Sequence, residues 1–156
     1  MINTIDREKL GRPDMDIAGF RLWVHGYANK DSADIIAIDW LTATAHISAK
    51  GTDVWLTDLP LEPGYIDLLG LYCYEIVGGN ARGASYGYGS DSPHLQFSIN
   101  KNHRTGKLAL NVSSEYGTEH LQIHQVKYDI ELSDVGKVMR ACSRILDKYP
   151  PRNKRE

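Results

Sequence analysis

The spacing of the apolar residues changes three times along this chain of 156 residues, and these changes restrict the fold more than any other feature. Apolar and polar residues alternate over most of 20–57, and apolar residues then recur every three or four positions over 61–77. Alternation returns over 81–132, and the three-four spacing returns over 133–149. Alternation is typical of strands with one buried face, and the three-four spacing is typical of amphipathic helices. The pattern therefore predicts the element order βββαββββα.

Three strands are predicted before the first helix and four after it, and a long one covers 37–49. Short polar loops join the later strands, and such links favour antiparallel neighbours. In the last strand, over 119–132, the apolar residues move from odd positions, Leu121 and Ile123, to even ones. One extra residue reverses the two faces of a strand, so a β-bulge is predicted near Gln125.

Both helices have recognisable ends. Pro63 suits a first turn, where its missing N–H costs nothing, and Gly78-Gly79 suit a helix end, where glycine tolerates a positive φ. The second helix is predicted to begin at Ser133 as N-cap and to stop before Pro150. The buried stripes predicted from the spacing are Ile66, Leu69, Cys73, Ile76 and Val77 in the first helix and Val135, Val138, Met139, Cys142, Ile145, Leu146 and Tyr149 in the second.

Two amphipathic helices can cover the apolar face of an antiparallel sheet. The sequence therefore predicts an α+β fold, a two-layer sandwich in which a mostly antiparallel sheet of about six to seven strands packs against two helices. We divide the chain into a lead-in segment over 1–18, one domain over 19–149 and a frayed tail over 150–156. A chain of this length buries a core without a metal or a disulfide.

The charge balance and the cysteines exclude several classes of protein. Lys and Arg number 18 and Asp and Glu number 20, and a net charge of −2 argues against a nucleic-acid partner, which normally requires a basic excess. Cys73 and Cys142 form no C-x-x-C pair, and we expect both thiols to be free and buried. The N-terminus lacks the apolar run of a signal peptide, and no stretch reaches the about 20 apolar residues that cross a bilayer. We therefore expect a cytoplasmic protein with no membrane partner.

None of the candidate chemical sites carries a complete motif. His120 and His124 lie on one face of a regular strand, but no third metal ligand is identifiable near them. The glycine-rich run over 83–90 has no Lys and no following helix, both of which a phosphate loop needs. Ser85 lies outside any G-x-S-x-G elbow. We therefore predict no catalytic residue, no metal and no cofactor, and hence no enzyme.

Three tryptophans lie on consecutive predicted strands, each opposite the apolar positions, and Tyr27 shares the parity of Trp23. Aromatic residues on the outer face of a sheet would form an exposed patch of the kind that binds partner proteins. The alternative is that the N-terminal segment or a helix covers this face. Three acidic residues lie nearby: Asp31, Asp34 and Asp39. They could belong to the same binding surface, act as a general acid-base pair, or simply form a solvated rim. The residues predicted to contact a partner are Trp23, Trp40, Trp55, Asp31, Asp34 and Asp39.

The order of these segments resembles the WapI-type family of small bacterial immunity proteins. The resemblance extends from the opening strand at Phe20, through the long strand that begins Asp39-Trp40-Leu41 and the strand around Trp55, to Tyr128-Asp-Ile-Glu-Leu132 running into a helix. It implies an antiparallel sheet with a C-terminal helix, and a non-enzymatic protein that binds and neutralises a cognate polymorphic toxin domain. The resemblance implies no catalytic residue and no particular interface.

In the immunity hypothesis, aromatic anchors supply affinity and carboxylates pair with Lys or Arg of the toxin. Two other functions remain open. A small-molecule-binding or enzymatic α+β domain would have its pocket between sheet and helices and would use His120, His124 or the carboxylates. A structural subunit of a larger assembly would need neither a pocket nor a toxin.

Overall fold

The chain folds as two runs of strands, each followed by a helix. A computed structural model describes residues 7–28, 39–79, 83–88, 94–102, 104–116 and 120–152. After a short 3-10 turn the elements are β1 (Met15–Ile17), β2 (Phe20–Tyr27), β3 (Leu41–Ala49), β4 (Thr52–Leu61), α1 (Pro63–Val77), β5 (Gly83–Tyr88), β6 (His94–Lys101), β7 (Leu108–Tyr116), β8 (Gln122–Ile130) and α2 (Leu132–Lys148). The predicted α+β class, with antiparallel strands and two helices, is confirmed.

The strands form two four-stranded sheets, with the orders β1-β2-β3-β4 and β5-β6-β7-β8. Each sheet is a meander in which chain neighbours pair antiparallel. The pattern of alternation suggested one sheet, and it divides instead into one sheet before α1 and one after it. The short β1 lies within the lead-in segment, and its three residues are too few to show a period.

The two sheets meet where the β1–β2 turn approaches the end of β3. The Ser48 N–H donates to the Gly19 carbonyl at 2.8 Å, and the Tyr128 hydroxyl donates to the Ser48 carbonyl at 2.9 Å. Burial raises the pKa of the Tyr128 phenol, so this hydroxyl remains a donor at neutral pH. Beside this contact, the Phe20 and Phe97 rings lie 5.2 Å apart between centroids. The apolar faces of both sheets thereby join one core.

A β-bulge in β2 sends Tyr27 to the core side. The pairing of β2 with β3 shifts between Val24 and Gly26, so His25 is the extra residue and Tyr27 pairs with Leu41. Because an extra residue reverses the faces of a strand, Tyr27 no longer shares a face with Trp23. It packs instead against the Tyr149 ring at 5.8 Å.

The bulge predicted near Gln125 does not form. The pairing of β7 with β8 runs without a shift from Tyr116 and Gln122 to Leu108 and Ile130. The odd-numbered apolar residues of this segment are exposed, and the apparent change of parity came from them: Leu121 and Ile123.

The helices follow the predicted spacing with three corrections. Three residues of the stripe predicted for the second helix are only partly buried: Met139, Leu146 and Tyr149. The buried residues of α1 are Ile66, Leu69, Cys73 and Ile76, whereas Val77 is exposed. The N-cap of α2 is Glu131 rather than Ser133: the Glu131 N–H donates to the Asp134 carboxylate at 2.9 Å in a capping box. Neither helix of the described residues has the length and apolar content needed to cross a membrane.

A small residue lets the two helices approach closely. A Cβ on Gly70 would lie 3.3 Å from the Cβ of Cys142, so α2 packs against the backbone of α1. This contact explains a glycine in a helix interior, where it costs about 1 kcal/mol relative to alanine. Cys73 and Cys142 are buried and free, and burial raises the pKa of each thiol to about 12.

Substitution of Gly19 tests the junction of the sheets. An alanine Cβ would lie 1.8 Å from the Ser48 carbonyl oxygen, so Gly19→Ala should lower the free energy of unfolding by about 2 kcal/mol or more. The matched control is Gly64→Ala, where nothing lies within 4 Å of the Cβ position. Urea unfolding followed by circular dichroism compares the two variants, and equal midpoints would contradict this account of the junction.

The buried thiols should be unreactive in the folded protein. Because the thiolate is the nucleophile, a pKa of about 12 should slow the reaction of Cys73 and Cys142 with an aromatic disulfide reagent by about a hundredfold or more. The measurement is the rate of thiol release at mildly alkaline pH, with and without denaturing urea. Prompt modification of both thiols without urea would show that the helix interface opens readily.

Candidate functional site

Three aromatic rings stack across the outer face of the first sheet. Trp55 of β4 contacts both Trp23 of β2 and His46 of β3, with ring centroids 5.6 Å from Trp23 and 3.9 Å from His46. The interplanar angles are 19° and 12°. The alternation of β2, β3 and β4 places these side chains opposite the core, as the sequence predicted for the two tryptophans.

The N-terminal segment covers this aromatic stack. The Arg7 guanidinium carbon lies 4.4 Å from the centroid of the Trp55 ring, a cation–π distance. The Trp23 indole N–H donates to the Gly11 carbonyl at 3.0 Å, and the Val24 N–H donates to the Asp14 carboxylate at 2.7 Å. Trp23 is only 6% exposed as a result. The sequence left open whether this face is an exposed patch or is covered by another segment. At Trp23, the N-terminal segment covers it.

Two polar pairs border the stack without forming a nucleophile–base system. His46 Nε2 is 2.6 Å from an Asp53 carboxylate oxygen, and His25 Nε2 is 2.8 Å from the Thr44 hydroxyl. A carboxylate on one ring nitrogen orients an imidazole so that the other nitrogen can act as a base. That nitrogen, His46 Nδ1, is buried and has no hydrogen-bond partner among the described residues. The His46–Asp53 pair therefore holds the ring against Trp55.

Trp40 and Asp39 lie outside the stack, at the start of β3. The Trp40 carbonyl accepts from the Ala28 N–H at 2.8 Å, and the Asp39 carboxylate accepts from the Arg152 N–H. Asp39 therefore ties the chain after α2 to the first sheet. Asp31 and Asp34 lie outside the described residues. The structure brings Trp23 and Trp55 together and leaves Trp40 apart, and the partner-contact role of all six residues stays a prediction.

His124 of β8 and His120, which precedes this strand, form no metal site within the described residues. His124 stacks on Tyr116 with ring centroids 5.9 Å apart, and His120 is exposed before β8 begins. Nowhere in the described part of the chain do three or more His, Cys, Asp or Glu side chains group as metal ligands would.

A groove between α1 and α2 is a surface that the sequence analysis missed. Its volume is about 240 Å³, and its walls include Gly70 and Leu71 of α1 with Met139 and Leu146 of α2. Leu71 is 54% exposed. One turn before it, Leu68 is 46% exposed, and the neighbouring Tyr72 is 41% exposed. The available signal was that α1 is apolar on nearly every face, beyond the stripe that the core needs.

The rim of this groove is acidic. Asp67 lines it from α1 and Asp147 lines it from α2. Glu75 follows Leu71 by one turn, and α1 carries no Lys or Arg. We call this groove, with the exposed Leu68 and Tyr72 beside it, the helix-pair surface. Its apolar floor and acidic border suit an apolar partner group framed by cations.

No family model, no curated protein and no solved structure matches the chain.

Replacement of Trp23 tests whether it serves the fold or a partner. Trp23→Ala removes a buried ring, its stacking on Trp55 and the bond to Gly11, so the free energy of unfolding should fall by about 3 kcal/mol or more. Trp40→Ala, at a half-buried position before β3, should cost less. Urea unfolding measures both. Full stability of the Trp23 variant would show that the N-terminal cover is not a structural contact.

Proposed function

We propose that this protein is an immunity protein that binds a cognate bacterial toxin domain in the cytoplasm and neutralises it by stoichiometric inhibition, without turnover. The resemblance in sequence to the WapI-type immunity proteins supports the class. The helix-pair surface supports the mode of action, because it is an exposed apolar surface with a defined acidic border. We assign the toxin contact to this surface.

The exposed apolar side chains of α1 carry this proposal. Leu68, Leu71 and Tyr72 lie three and four residues apart, so they project from one side of the helix. Keeping such groups in water is unfavourable, and contiguous patches of this kind are typical of interfaces. A tyrosine and leucines beside a groove provide both a rigid aromatic anchor and a recess for a partner side chain.

The charges select the partner. A toxin surface with Lys or Arg around an apolar centre would pair with Asp67, Glu75 and Asp147. Toxins that act on nucleic acids or other phosphate-bearing substrates need such cations to bind them. An inhibitor seated on those cations blocks substrate binding directly, and it needs no catalytic group.

The same charges oppose self-association through α1. Asp67 and Glu75 lie four residues before and four residues after Leu71. An antiparallel two-fold pair centred on Leu71 would bring Asp67 of one copy against Glu75 of the other. A parallel pair would bring each of these acids against the same residue of the other copy. Like charges in contact cost free energy, so a cationic partner fits this surface better than a second copy of the chain.

Alanine variants of the helix-pair surface test the proposal. Leu68→Ala with Tyr72→Ala should weaken toxin binding by about 2 kcal/mol or more, since central apolar anchors dominate interface energies. The matched control is Leu121→Ala, which truncates a leucine of similar exposure, 59%, before β8. This control should bind as the wild type does, and all variants should unfold normally.

The partner is obtained by co-purification from the native host with the tagged wild-type chain. The protein recovered is then assayed alone for toxicity and for its enzymatic activity, with the wild-type chain added in increasing amounts. Loss of activity at a one-to-one ratio, reversed by the Leu68/Tyr72 variant and not by the Leu121 variant, supports the proposal. A toxin that stays active when the wild-type chain is in saturating excess would contradict the proposed function. A toxin that all variants inhibit equally would contradict the assignment of the contact to the helix-pair surface.

A further inference from the structure

A cationic cleft lies between the N-terminal segment and α2. It has a volume of about 390 Å³, and its charged lining residues are Arg12, Asp14, Asp16, Lys137, Arg140 and Arg144. Four cations therefore face two carboxylates. The chain as a whole has a net charge of −2, so this local excess does not reflect a generally basic surface.

The cations of the cleft are poorly neutralised. The side chains of Arg12 and Arg140 make no hydrogen bond or ion pair within the described ranges of the chain. Arg144 donates to the Asp14 backbone carbonyl at a long 3.4 Å, and Lys137 lies 3.9 Å from Asp134, one turn before it on α2. Guanidinium groups without a partner retain donors for a ligand.

The two carboxylates of the cleft are already engaged. Asp14 accepts the Val24 N–H at 2.7 Å, which fixes the N-terminal segment to β2. Asp16 pairs with Arg21 at 3.4 Å on the neighbouring strand. Neither contact involves Arg12 or Arg140, so the guanidinium donors of these two arginines stay available to a ligand.

The local geometry gathers the cations on one flank of α2. Lys137, Arg140 and Arg144 are three and four residues apart, so they form one stripe on the helix. The Arg140 guanidinium lies along the helix over Gly136, with Nη1 3.3 Å from the position of a Cβ there. Arg12 faces this stripe from the N-terminal segment.

We infer that this cleft binds a small molecule that carries phosphate groups. Planar guanidinium groups bind phosphate oxygens in pairs, and the cleft supplies three of them with one ammonium. A volume of about 390 Å³ exceeds what a single ion needs and lies in the range of small-molecule sites. A DNA or RNA polymer is a less suitable ligand, because its binding needs cations spread over a wider surface. The inference is independent of the proposed immunity function and of the helix-pair surface.

Titration calorimetry with inorganic pyrophosphate tests this inference. The wild-type chain should bind pyrophosphate more tightly than citrate at matched ionic strength, and the affinity should fall as salt is added. Arg12→Gln with Arg140→Gln should weaken binding about tenfold or more, since charge-assisted hydrogen bonds are lost. The matched control, Arg104→Gln with Lys127→Gln, removes two exposed cations elsewhere and should bind normally. Arg140→Lys, which keeps the charge but not the fork, should bind more weakly than the wild type.

Equal binding of citrate and pyrophosphate, equal losses in both double variants, or no pyrophosphate binding at low salt would each overturn the inference. Vesicles of anionic phospholipid form a separate arm, and binding to vesicles without binding to pyrophosphate would also overturn it. If the Arg12/Arg140 variant unfolds, the single variants Arg140→Gln and Arg140→Lys are compared with the wild type instead. Pyrophosphate affinities equal to that of the wild type in both single variants would overturn the inference.

Discussion

The backbone contact between Gly19 and Ser48 is the constraint on which the rest of the structure depends. Because residue 19 has no side chain, the β1–β2 turn lies against the end of β3, and the Ser48 carbonyl can accept the Tyr128 hydroxyl from the second sheet. The strand that carries Tyr128 leads directly into α2. One close approach thereby fixes how the two sheets meet, and it holds the strand that leads into the last helix.

In this arrangement the two faces of the first sheet make different contacts. Its inner face joins the core that both helices share. Its outer face carries the Trp23–Trp55–His46 stack, on which Arg7 and Gly11 lie. The aromatic residues that look most like a binding surface in the sequence therefore hold the N-terminal segment. An exposed apolar surface lies instead on α1, whose inner stripe alone satisfies the core.

The two flanks of α2 border surfaces of opposite character. Met139, Leu146 and Asp147 face the groove shared with α1, and Lys137, Arg140 and Arg144 line the cleft shared with the N-terminal segment. A helix can serve both because its side chains point outward in all directions and only one stripe is needed for packing. An acidic apolar groove suits a cationic protein partner, whereas a cationic cleft suits a phosphate-bearing ligand.

The local sequence pattern determined β2 to β8, both helices and the α+β class, because apolar periodicity acts within a few positions, but it missed the three-residue β1. The sequence pattern did not predict the bulge at His25, which sends Tyr27 to the core. It wrongly predicted a bulge near Gln125, because the exposed Leu121 and Ile123 give the same change of parity as an extra residue would. The tertiary structure alone decided that Trp23 is covered and that Leu71 is exposed. Both outcomes depend on contacts between residues distant in sequence, since burial is a property of the neighbours that packing supplies.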